Sequence, residues 1–569
     1  MFYTEIVSVL GTSGTRPVRG LNIVELQSDN SDGLNAAIAH LTKLAGTGGS
    51  SVVSHRHVSD PDAMTQVWSL RSKCVGLLGR MDPERQGTAF VEDAAVPPEK
   101  LVEFVDGFRR ILSEEALTYG MFGHADVGCV HVRPALDMRR PGDAAKIRAV
   151  TDKIARLALA HGGILWGEHG KGVRGEYGSM FFGPQLYARL CEIKAAFDPG
   201  NIFNPGKIAS PDPDQPLVKI DETPFRGTMD ATISADALRG YERAVKCNGN
   251  GQCFDLAHDD AMCPSYKVSG DRRLSPKGRA AMLRTWLRGD AEPETRRALE
   301  EALRQSLDAC LSCKACASQC PVKVDIPAMK AQFYESYFRT RRRPFRHHLL
   351  ARMEDCGPVM RARPQLTNLF LRLAAPVIAR AGLCDLPEIR TAHYARPQQG
   401  KPVVLLIDTF LGSFDGSVPD ACAALLTRLG YAVTQSPPIP NGKALSVLGF
   451  NARFARIARR RFARLKALSS SALAVIEIEP AIHAMSRSEY KALGLDCRGY
   501  VSLDMFLTRE IEAGRIRPVS ADAGGALPVL FSHCIESSAD PQASRRWQVI
   551  FRHFGLNLDL ARTGCCGMS

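Results

Sequence analysis

Four closely spaced cysteines have the arrangement that binds an iron–sulfur cluster. They form a Cys-x2-Cys-x2-Cys-x3-Cys-Pro run at Cys310, Cys313, Cys316 and Cys320. In bacterial ferredoxins the first three thiolates of such a run bind one cluster, and the fourth binds the other cluster of a pair. Structural zinc sites instead use two Cys-x2-Cys pairs that are separated by a longer spacer. The spacing therefore predicts a [4Fe–4S] cluster and electron transfer.

A second group of cysteines lies upstream and is irregular. Cys247 and Cys253 occupy the outer positions of a Cys-x2-Cys-x2-Cys run whose middle position is Asn250, and the next cysteine, Cys263, precedes a proline. By the ferredoxin crossing pattern, Cys263 completes the cluster of the first three downstream cysteines, and Cys320 joins Cys247 and Cys253. This predicts two clusters. The alternative is that the upstream cysteines are ordinary buried thiols.

The second predicted cluster has only three thiolate ligands. Asn250, Asp255, water or substrate are the candidates for its fourth ligand, and a three-iron cluster is the other possibility. The two clusters are therefore expected to differ in stability and in reduction potential.

Two histidines and a Glu–His pair lie in glycine-rich segments. Residues 123–131 read GHADVGCVH and contain His124 and His131, and residues 166–172 read WGEHGKG and contain Glu168 and His169. Glycine lets the backbone approach a ligand closely. Two imidazoles and a carboxylate suit a divalent metal with positions open for a substrate. On spacing alone, a pair of core or surface histidines is an equal alternative.

The composition is that of a globular protein with several domains. The 569 residues are 45% hydrophobic and 23% charged, and the net charge is +13. Clustered cysteines (17 in all) and an N-terminal sequence unlike a signal peptide predict a reducing compartment rather than disulfides. We find no apolar stretch of ~18 residues, so we expect no membrane span. The basic charge without interleaved aromatics favours solvated helix faces over nucleic-acid binding.

Changes in composition and the positions of turn-forming residues divide the chain into five segments. Residues 1–208 are a mixed α/β segment, and residues 209–235 are a Pro- and Asp-rich linker. Residues 236–345 carry the cysteines, residues 346–400 are a helical connector, and residues 401–569 alternate strands and helices. Alternation of buried strands and helices in the last segment predicts a parallel sheet. In the first segment the pattern predicts a strand at 21–26 and helices at 34–44 and 97–112.

Longer motifs identify a family. GHADVGCVHVRPALD, WGEHGKG and FDPGNIFNPGKI resemble the C-terminal cap half of the FAD-linked oxidases, which include D-lactate, glycolate and D-2-hydroxyglutarate dehydrogenases. RAVKCNGNGQCFDLAHDDAMCPS, RRLSPKGRA and CLSCKACASQCPVKVD resemble the iron–sulfur half of a fused bacterial branch of D-2-hydroxyglutarate dehydrogenases. The resemblance implies a multidomain α+β protein. Its parts would be a ferredoxin-like α+β cap, a helical two-cluster domain and an α/β CCG-type domain.

The resemblance also assigns roles to individual residues. His124, His131 and Glu168 fall on the family's divalent metal ligands, with zinc as the expected ion. His169 falls on the candidate catalytic base, and Arg71 resembles the arginine that binds the substrate carboxylate. Two positions differ from the simpler members. Arg133 stands where they have asparagine, and Val91 stands where they have lysine. We interpret Arg133 as a replacement carboxylate ligand, because guanidinium binds carboxylate bidentately.

The C-terminal cysteines resemble a further motif. His533-Cys534 and Gly564-Cys565-Cys566-Gly567 resemble the CCG motif of heterodisulfide reductase-like subunits, where it binds a cluster or lies at an electron exit. The alternative is that Cys565 and Cys566 are simply buried.

The family's glycine-rich FAD-binding domain has no counterpart in residues 1–60, so FAD is expected from a separate polypeptide or an upstream segment. The predicted function is oxidation of a D-2-hydroxy acid, D-2-hydroxyglutarate or D-lactate, with electrons passing to a quinone or another acceptor. The alternative is a truncated, inactive electron-transfer module. A cytoplasmic location is expected, with peripheral association with the inner membrane left open.

Overall fold

A computed structural model shows two compact units, residues 1–234 and 235–569. Within them the structure describes residues 20–47, 52–61, 63–65, 67–68, 71, 85–222, 224–257, 260–380, 387–393, 399–518, 527–561 and 564. The statements below concern these residues, and each unit is described by itself.

The first unit combines helices with short antiparallel strands. Its elements in chain order are α1 (Ser31–Thr47), β1 (Gln86–Gly87), β2 (Ala94–Ala95), α2 (Leu101–Glu114), β3 (Tyr119–His124), β4 (Cys129–Leu136), α3 (Pro141–Ala160), α4 (Gly178–Phe197) and α5 (Arg226–Asp230). The strand β4 is the centre of the sheet, because the other three strands all pair with it. On one side β2 pairs with its beginning and β1 with its end, and β3 pairs along most of its length. All of these pairings are antiparallel.

The core of the first unit lies between the sheet and the helices. Fully buried Phe104 and Phe108 of α2 pack with Ile154 of α3 and with Val132 of β4. Burying aromatic and branched side chains at this helical spacing fixes α2 and α3 against the sheet. The sheet is thereby a rigid base for the loops at its edge.

The second unit is helical in its first part. These helices are α6 (Ala235–Leu238), α7 (Glu242–Val245), α8 (Pro264–Ser269), α9 (Pro276–Arg288), α10 (Pro293–Asp308), α11 (Ala315–Ser318), α12 (Ile326–Thr340), α13 (Phe345–Ala362) and α14 (Pro364–Arg380). Several of these helices begin with proline in the first turn and a capping side chain. At the start of α9, for example, Ser275 Oγ accepts a hydrogen bond from the amide of Gly278 at 3.0 Å.

The rest of the second unit alternates strands and helices. Its elements are β5 (Lys401–Leu406), α15 (Leu411–Phe414), α16 (Ser417–Arg428), β6 (Tyr431–Gln435), α17 (Lys443–Val447), α18 (Asn451–Ser469), β7 (Ala474–Glu477), α19 (Pro480–Arg487), α20 (Glu489–Ala492), β8 (Tyr500–Ser502), α21 (Leu503–Glu512), β9 (Val529–Phe531), α22 (Cys534–Ala539), α23 (Ala543–His553) and β10 (Asp559–Ala561).

Four of these strands form a parallel sheet in the order β6-β5-β7-β8. Val403 of β5 lies opposite Val433 on one side and Ala474 on the other. Apolar cores cover both faces, as parallel sheets require. The strand order reverses between β5 and β7, so the carboxyl ends of these two strands flank a topological switch point.

The predicted multidomain α+β fold class is confirmed, and so is the parallel sheet after residue 400. The strand predicted at 21–26 is wrong, because residues 20–28 have no regular secondary structure. Alternation alone cannot make a strand where no partner supplies a ladder. Residues 209–234 include α5 and pack on the first unit, with Ile220 in its core. Among the described helices, none is both long and apolar enough to cross a membrane.

Candidate functional site

A β-hairpin brings the two predicted histidines together. In the β3–β4 pairing His124 lies opposite Cys129, and Phe122 lies opposite His131. Because side chains alternate along a strand, His124, Cys129 and His131 share one face of the hairpin. The turn contains Gly128 at φ 68°, where a Cβ would lie 1.9 Å from the carbonyl oxygen of Val96, so only glycine fits there.

Glu168 is the carboxylate at which the histidines converge. Its Oε1 lies 2.7 Å from His131 Nε2 and 3.5 Å from His124 Nε2. The same oxygen is 3.7 Å from His169 Nε2. The His131 side chain is 2% exposed, whereas that of His169 is 48% exposed. The group is therefore buried on the His131 side and open on the His169 side.

Asp93 positions the Glu168–His169 turn. Its Oδ1 accepts a hydrogen bond from the amide of Glu168 at 3.0 Å, and its Oδ2 accepts from the amide of His169 at 2.9 Å. Asp93 is completely buried and has φ 81°, a conformation that costs a non-glycine residue about 1–3 kcal/mol. The sequence prediction missed Asp93. Its signal was the acidic pair before a proline turn, in VEDAAVPPEK.

The neighbouring Glu92 engages Arg133. The guanidinium donates to Glu92 at 2.9 Å through Nε and at 3.0 Å through Nη2. Glu92 Oε1 also lies 3.8 Å from His131 Nδ1. Arg174 donates to the backbone carbonyl of Glu92 and, at 3.0 Å, to that of Leu165. Arg133, predicted to bind the substrate carboxylate, is thus held in a bidentate pair here, and its role toward substrate stays a prediction.

Burial sets the protonation states around the hairpin. Burial lowers the pKa of His131, which keeps the imidazole neutral and able to bind a metal. Burial, together with the negative charge of Asp93, raises the pKa of the Cys129 thiol to about 12. Cys129 is therefore a protonated thiol, whose Sγ lies 3.6 Å from Asp93 Oδ1.

The donor set fits a divalent metal. Ligand atoms of Asp93, His131, Glu168 and His169 all lie within 4.8 Å of one another. Nδ1 of the buried His131 has no hydrogen-bond partner among the described residues, so one of its nitrogens is unsatisfied by protein. Imidazole and carboxylate are the ligands that zinc and similar ions prefer in catalytic sites. His124 lies beside this group through its 3.5 Å approach to Glu168.

Arg71 is the predicted residue that the structure does not bring into this network. Its guanidinium stacks on Trp68 at 5.4 Å from the ring centroid. Within the part of the chain that the structure describes, Arg71 makes no hydrogen bond or ion pair with the histidines or Glu168. Its assignment as a substrate ligand stays a prediction.

Four cysteines of the second unit gather around the first predicted cluster. Burial raises the pKa of Cys263, and the charge of Cys310 adds to the rise. Burial likewise raises the pKa of Cys313 to about 12, with contributions from Cys310 and Cys263. Burial raises the pKa of Cys316 well above its ordinary value, and the charges of Cys310 and Cys313 add to the rise. The thiols lie close enough to interact, as one cluster's ligands must. Iron binding would displace their protons.

The two loops that carry these cysteines are shaped for a ligand. Cys263, Ser312 and Lys314 all have positive φ, at 50°, 56° and 63°. Such conformations persist in non-glycine residues where the surroundings enforce them, often at binding sites.

Buried cations surround this first group. Arg279 Nη1 lies 3.8 Å from Cys263 Sγ, and Lys330 Nζ donates to the carbonyl of Cys310 at 2.8 Å. Arg279 is 2% exposed and Lys330 is 6% exposed. Positive charge at this depth stabilises thiolates and an anionic cluster.

The second group of cysteines lines a separate cavity. Cys247, Cys253 and Cys320 line a small cavity together with Asn250 and Lys277. Burial raises the pKa of Cys253, and the charges of Cys247, Cys263 and Cys320 add to it. The cavity thus combines the two upstream cysteines with the last downstream one, as the crossing pattern predicts. No other described cysteine lines it.

Cys534 lies at the first position of α22, a helix that packs against α11 of the cluster loop. Its charge raises the pKa of Cys313, so the two thiols are neighbours. The sequence did not indicate this proximity. Cys565 and Cys566 lie outside the described residues, and their predicted role stays a prediction.

Two family models match the parts of the chain that contain these two sites. Residues 4–208 match the family described as FAD linked oxidases, C-terminal domain. Residues 243–324 match the 4Fe-4S dicluster domain. The chain joins an FAD-linked oxidase C-terminal domain to a 4Fe-4S dicluster domain. The two histidines and Glu168 lie in the first domain, and the seven gathered cysteines lie in the second.

Curated proteins are similar to this chain over different shares of its length. D-2-hydroxyglutarate dehydrogenase of Pseudomonas putida is 36% identical over 97% of the chain and 60% of its own length. The enzyme of that name from Escherichia coli is 34% identical over the same shares. Glycolate oxidase subunit GlcD of Bacillus subtilis is 31% identical over 25% of the chain and 30% of its own length. The chain thus spans 60% of the length of the two dehydrogenases.

Proposed function

We propose that this chain is the substrate-binding and electron-transfer part of an FAD-dependent dehydrogenase that oxidises a D-2-hydroxy acid. D-2-hydroxyglutarate is the first candidate substrate, because relatives of that name match nearly the whole chain. D-lactate is the second, since a D-lactate dehydrogenase of Archaeoglobus fulgidus matches 21% of it at 33% identity.

The observation that carries the proposal is the meeting of His124, His131 and Glu168 beside an accessible histidine. Glu168 Oε1 lies within 3.5 Å of both His124 Nε2 and His131 Nε2. His169 is half exposed, and its backbone is fixed by Asp93. A hydroxy acid needs a base for its hydroxyl proton and a positive centre for its oxygens, and this group offers both.

His169 is the proposed catalytic base. Its Nδ1 faces the carboxylate of Asp93 at 3.8 Å, so a proton on Nδ1 is favoured there. Nε2 is then the basic nitrogen, and it accepts the proton of the substrate hydroxyl as the C2–H bond breaks. FAD, when bound, would supply the acceptor for the C2 hydride.

A divalent cation held by His131, Glu168 and His124 would supply a Lewis acid for the substrate oxygens. The chain's own task is to keep these ligands ready. His131 is neutral because it is buried, and Asp93 holds the Glu168 amide in place. Arg133 lies on β4, the strand that also carries His131, and its guanidinium pairs with Glu92. It keeps a positive charge close to that strand.

The second unit is proposed to carry the electrons onward. Two clusters would supply single-electron steps, one held by Cys263, Cys310, Cys313 and Cys316 and one by Cys247, Cys253 and Cys320. Cys534, next to Cys313, is the proposed exit side, toward a quinone or another acceptor.

Alanine substitutions of His124, His131 and Glu168 test the metal site. Each should lower the metal content of the purified chain while the visible absorbance of the clusters stays unchanged, because imidazole and thiolate sites are chemically separate. His40→Ala, on the exposed side of α1, is the matched control and should keep both. Full metal retention in His131→Ala would contradict the site, and joint loss of metal and clusters would indicate a folding defect.

A further inference from the structure

A pocket in the α/β part of the second unit belongs to neither site described above. It encloses about 380 Å³, within the usual range of small-molecule sites, and lies where β5 and β7 end. Its polar lining is Asp408, Asp415, Asn441, Lys443 and Glu479. Asp408 follows β5 and Glu479 follows β7, the two strands that flank the switch point of the sheet.

Two of these groups are buried and incompletely satisfied. Asp408 is 2% exposed; its Oδ1 accepts from the amide of Phe410 at 2.7 Å, but its Oδ2 has no hydrogen-bond partner among the described residues. Asn441 is fully buried, and its Nδ2 lacks a partner in the same part of the chain. Unsatisfied polar atoms at this depth destabilise the folded protein, and a polar ligand would offset that cost.

The protein fixes Asn441 so that its free donor is well defined. Its Oδ1 accepts from the amide of Lys443 at 2.8 Å, and its carbonyl accepts from the Tyr490 hydroxyl at 2.8 Å. Its own amide donates to Glu354 at 3.2 Å. With these three groups occupied, Nδ2 is left for an acceptor in the pocket.

The two ends of the pocket have opposite requirements. Asp408 and Glu479 line the same side, which therefore favours a cation. Burial raises the pKa of Asp408, and the negative charge of nearby Glu479 adds to the rise. Lys443 Nζ, 3.5 Å from Glu489, and the Asn441 amide favour an anionic or carbonyl oxygen. Phe410 and Phe414, whose ring centroids are 6.3 Å apart, form an apolar wall with Ile482.

Other ligand classes fit less well. A metal ion is disfavoured, because among the described residues the three carboxylates that line this pocket do not form a group whose ligand oxygens all lie within 4.8 Å of one another. A phosphate is disfavoured, because the Glu479 carboxylate already accepts from the amide of Ala481 at the start of α19.

We propose that this pocket binds a zwitterionic aminocarboxylate with an apolar side chain. The ammonium group contacts Asp408 and Glu479, the carboxylate contacts Asn441 and Lys443, and the side chain packs on Phe410 and Phe414. The unsatisfied carboxylate oxygen of Asp408 then gains a donor, and the unsatisfied side-chain nitrogen of Asn441 gains an acceptor. The site is distinct from the hydroxy acid centre and stands independently of the proposed dehydrogenase function.

Calorimetric titration of the full chain, purified with its clusters, tests the proposal. L-leucine and L-phenylalanine are the probes, and each is compared with the amine that lacks its carboxylate and the acid that lacks its ammonium group. These half-probes are isopentylamine and isocaproate for leucine, and phenethylamine and phenylpropionate for phenylalanine. We expect at least one amino acid to bind, and both of its halves to bind about tenfold or more weakly, because each loses charge-assisted hydrogen bonds.

Variants then locate the site. Asp408→Asn and Lys443→Met should each weaken binding about tenfold or more, whereas Asp496→Asn, at an exposed position, should not. Glu479→Gln, at a partly exposed position, repeats the test if Asp408→Asn does not fold. The proposal is overturned if neither amino acid binds, if a half-probe binds as tightly as the amino acid, or if the pocket variants leave binding unchanged.

Discussion

Asp93 Oδ2 accepts a hydrogen bond from the backbone amide of His169 at 2.9 Å, while Asp93 Oδ1 lies 3.8 Å from His169 Nδ1. A single buried carboxylate therefore fixes the backbone of this histidine and also faces its ring. This contact joins residues that are 76 positions apart in the sequence. It makes Asp93 the positioning residue of the proposed centre.

Asp93→Asn should weaken the metal site without unfolding the first unit. The amide can accept one of the two backbone hydrogen bonds but loses the negative charge next to His169. Changes to groups that orient metal ligands typically cost about 10–100-fold in metal affinity. Competition with a chromophoric chelator measures this loss. Asp126→Asn, in the exposed hairpin turn, is the matched control, and equal affinities in the two variants would contradict the role of Asp93.

Asn250→Cys should make the second cluster more robust. The natural sequence offers three thiolates around that cavity, and a non-thiolate corner holds iron less tightly and raises the reduction potential. Mild oxidation of the natural protein should therefore give a three-iron electron paramagnetic resonance signal, which the variant should lack. The variant should also have a lower potential. Asn248→Cys, which adds a thiol outside the predicted corner, should not change the signal. Identical signals in the natural protein and in Asn250→Cys would mean that another group completes the site, and Cys356 is then the first residue to test.

Lys314 and Glu489 should shift the potential of the first cluster in opposite directions. Lys314 lies between Cys313 and Cys316, is buried, and is 2.5 Å from Glu489. Lys314→Met removes a cation that favours the reduced cluster, so the potential should fall, on the order of 60 mV if the effect is tenfold in a one-electron equilibrium. Glu489→Gln should raise the potential. Redox titration followed by paramagnetic resonance measures both, with Lys491→Met as the control. Shifts of the same sign would contradict this interpretation.

The stability of the α/β part should depend on pH through Asp408. Burial, reinforced by Glu479, raises the pKa of Asp408 from 3.8 to about 6. The folded protein then binds more protons at this group than the unfolded chain between about pH 4 and 6, so its contribution to stability is present below that range and is lost as the pH rises through it. Asp408→Asn should remove at most about 3 kcal/mol of this dependence.

Thermal unfolding of the natural protein and of Asp408→Asn, at mildly acidic and at neutral pH, measures this effect. The difference between the two proteins should favour the variant more at neutral pH, and taking the difference cancels the acid sensitivity of the clusters. Asp355→Asn, on the exposed side of α13, is the control. A difference that is independent of pH would contradict the assignment.

Local patterns predicted most of the elements that hold the sites. The helix expected at 34–44 is present as Ser31–Thr47, and the helix expected at 97–112 is present as Leu101–Glu114 after a turn at Pro98–Lys100. The parallel sheet expected in residues 401–569 is present, and it begins with the strand Lys401–Leu406. These features depend on periodicity and capping, which are local properties of the chain.

Long-range contacts were the part that the sequence could not supply. The hydrogen bond between Asp93 and the Glu168 amide spans 75 residues, so the acidic pair at 92–93 could mark a functional turn but could not identify Glu168 as its partner. Cys534 lies beside Cys313 because α22 packs on α11, and no motif encodes that packing. The pocket at the end of the parallel sheet combines residues from three separate connections, so it exists only once the sheet order is known.

The most direct test of the proposed function uses the protein tagged and purified from its own cells, with whatever supplies FAD still bound. D-2-hydroxyglutarate is added without oxygen, and the paramagnetic resonance spectrum of the clusters is recorded. We expect the reduced-cluster signal with the D enantiomer, no signal with the L enantiomer, and no signal from His169→Ala. Clusters that dithionite reduces, but that D-2-hydroxyglutarate, D-lactate and glycolate all leave oxidised, would contradict a dehydrogenase and favour a pure electron-transfer module.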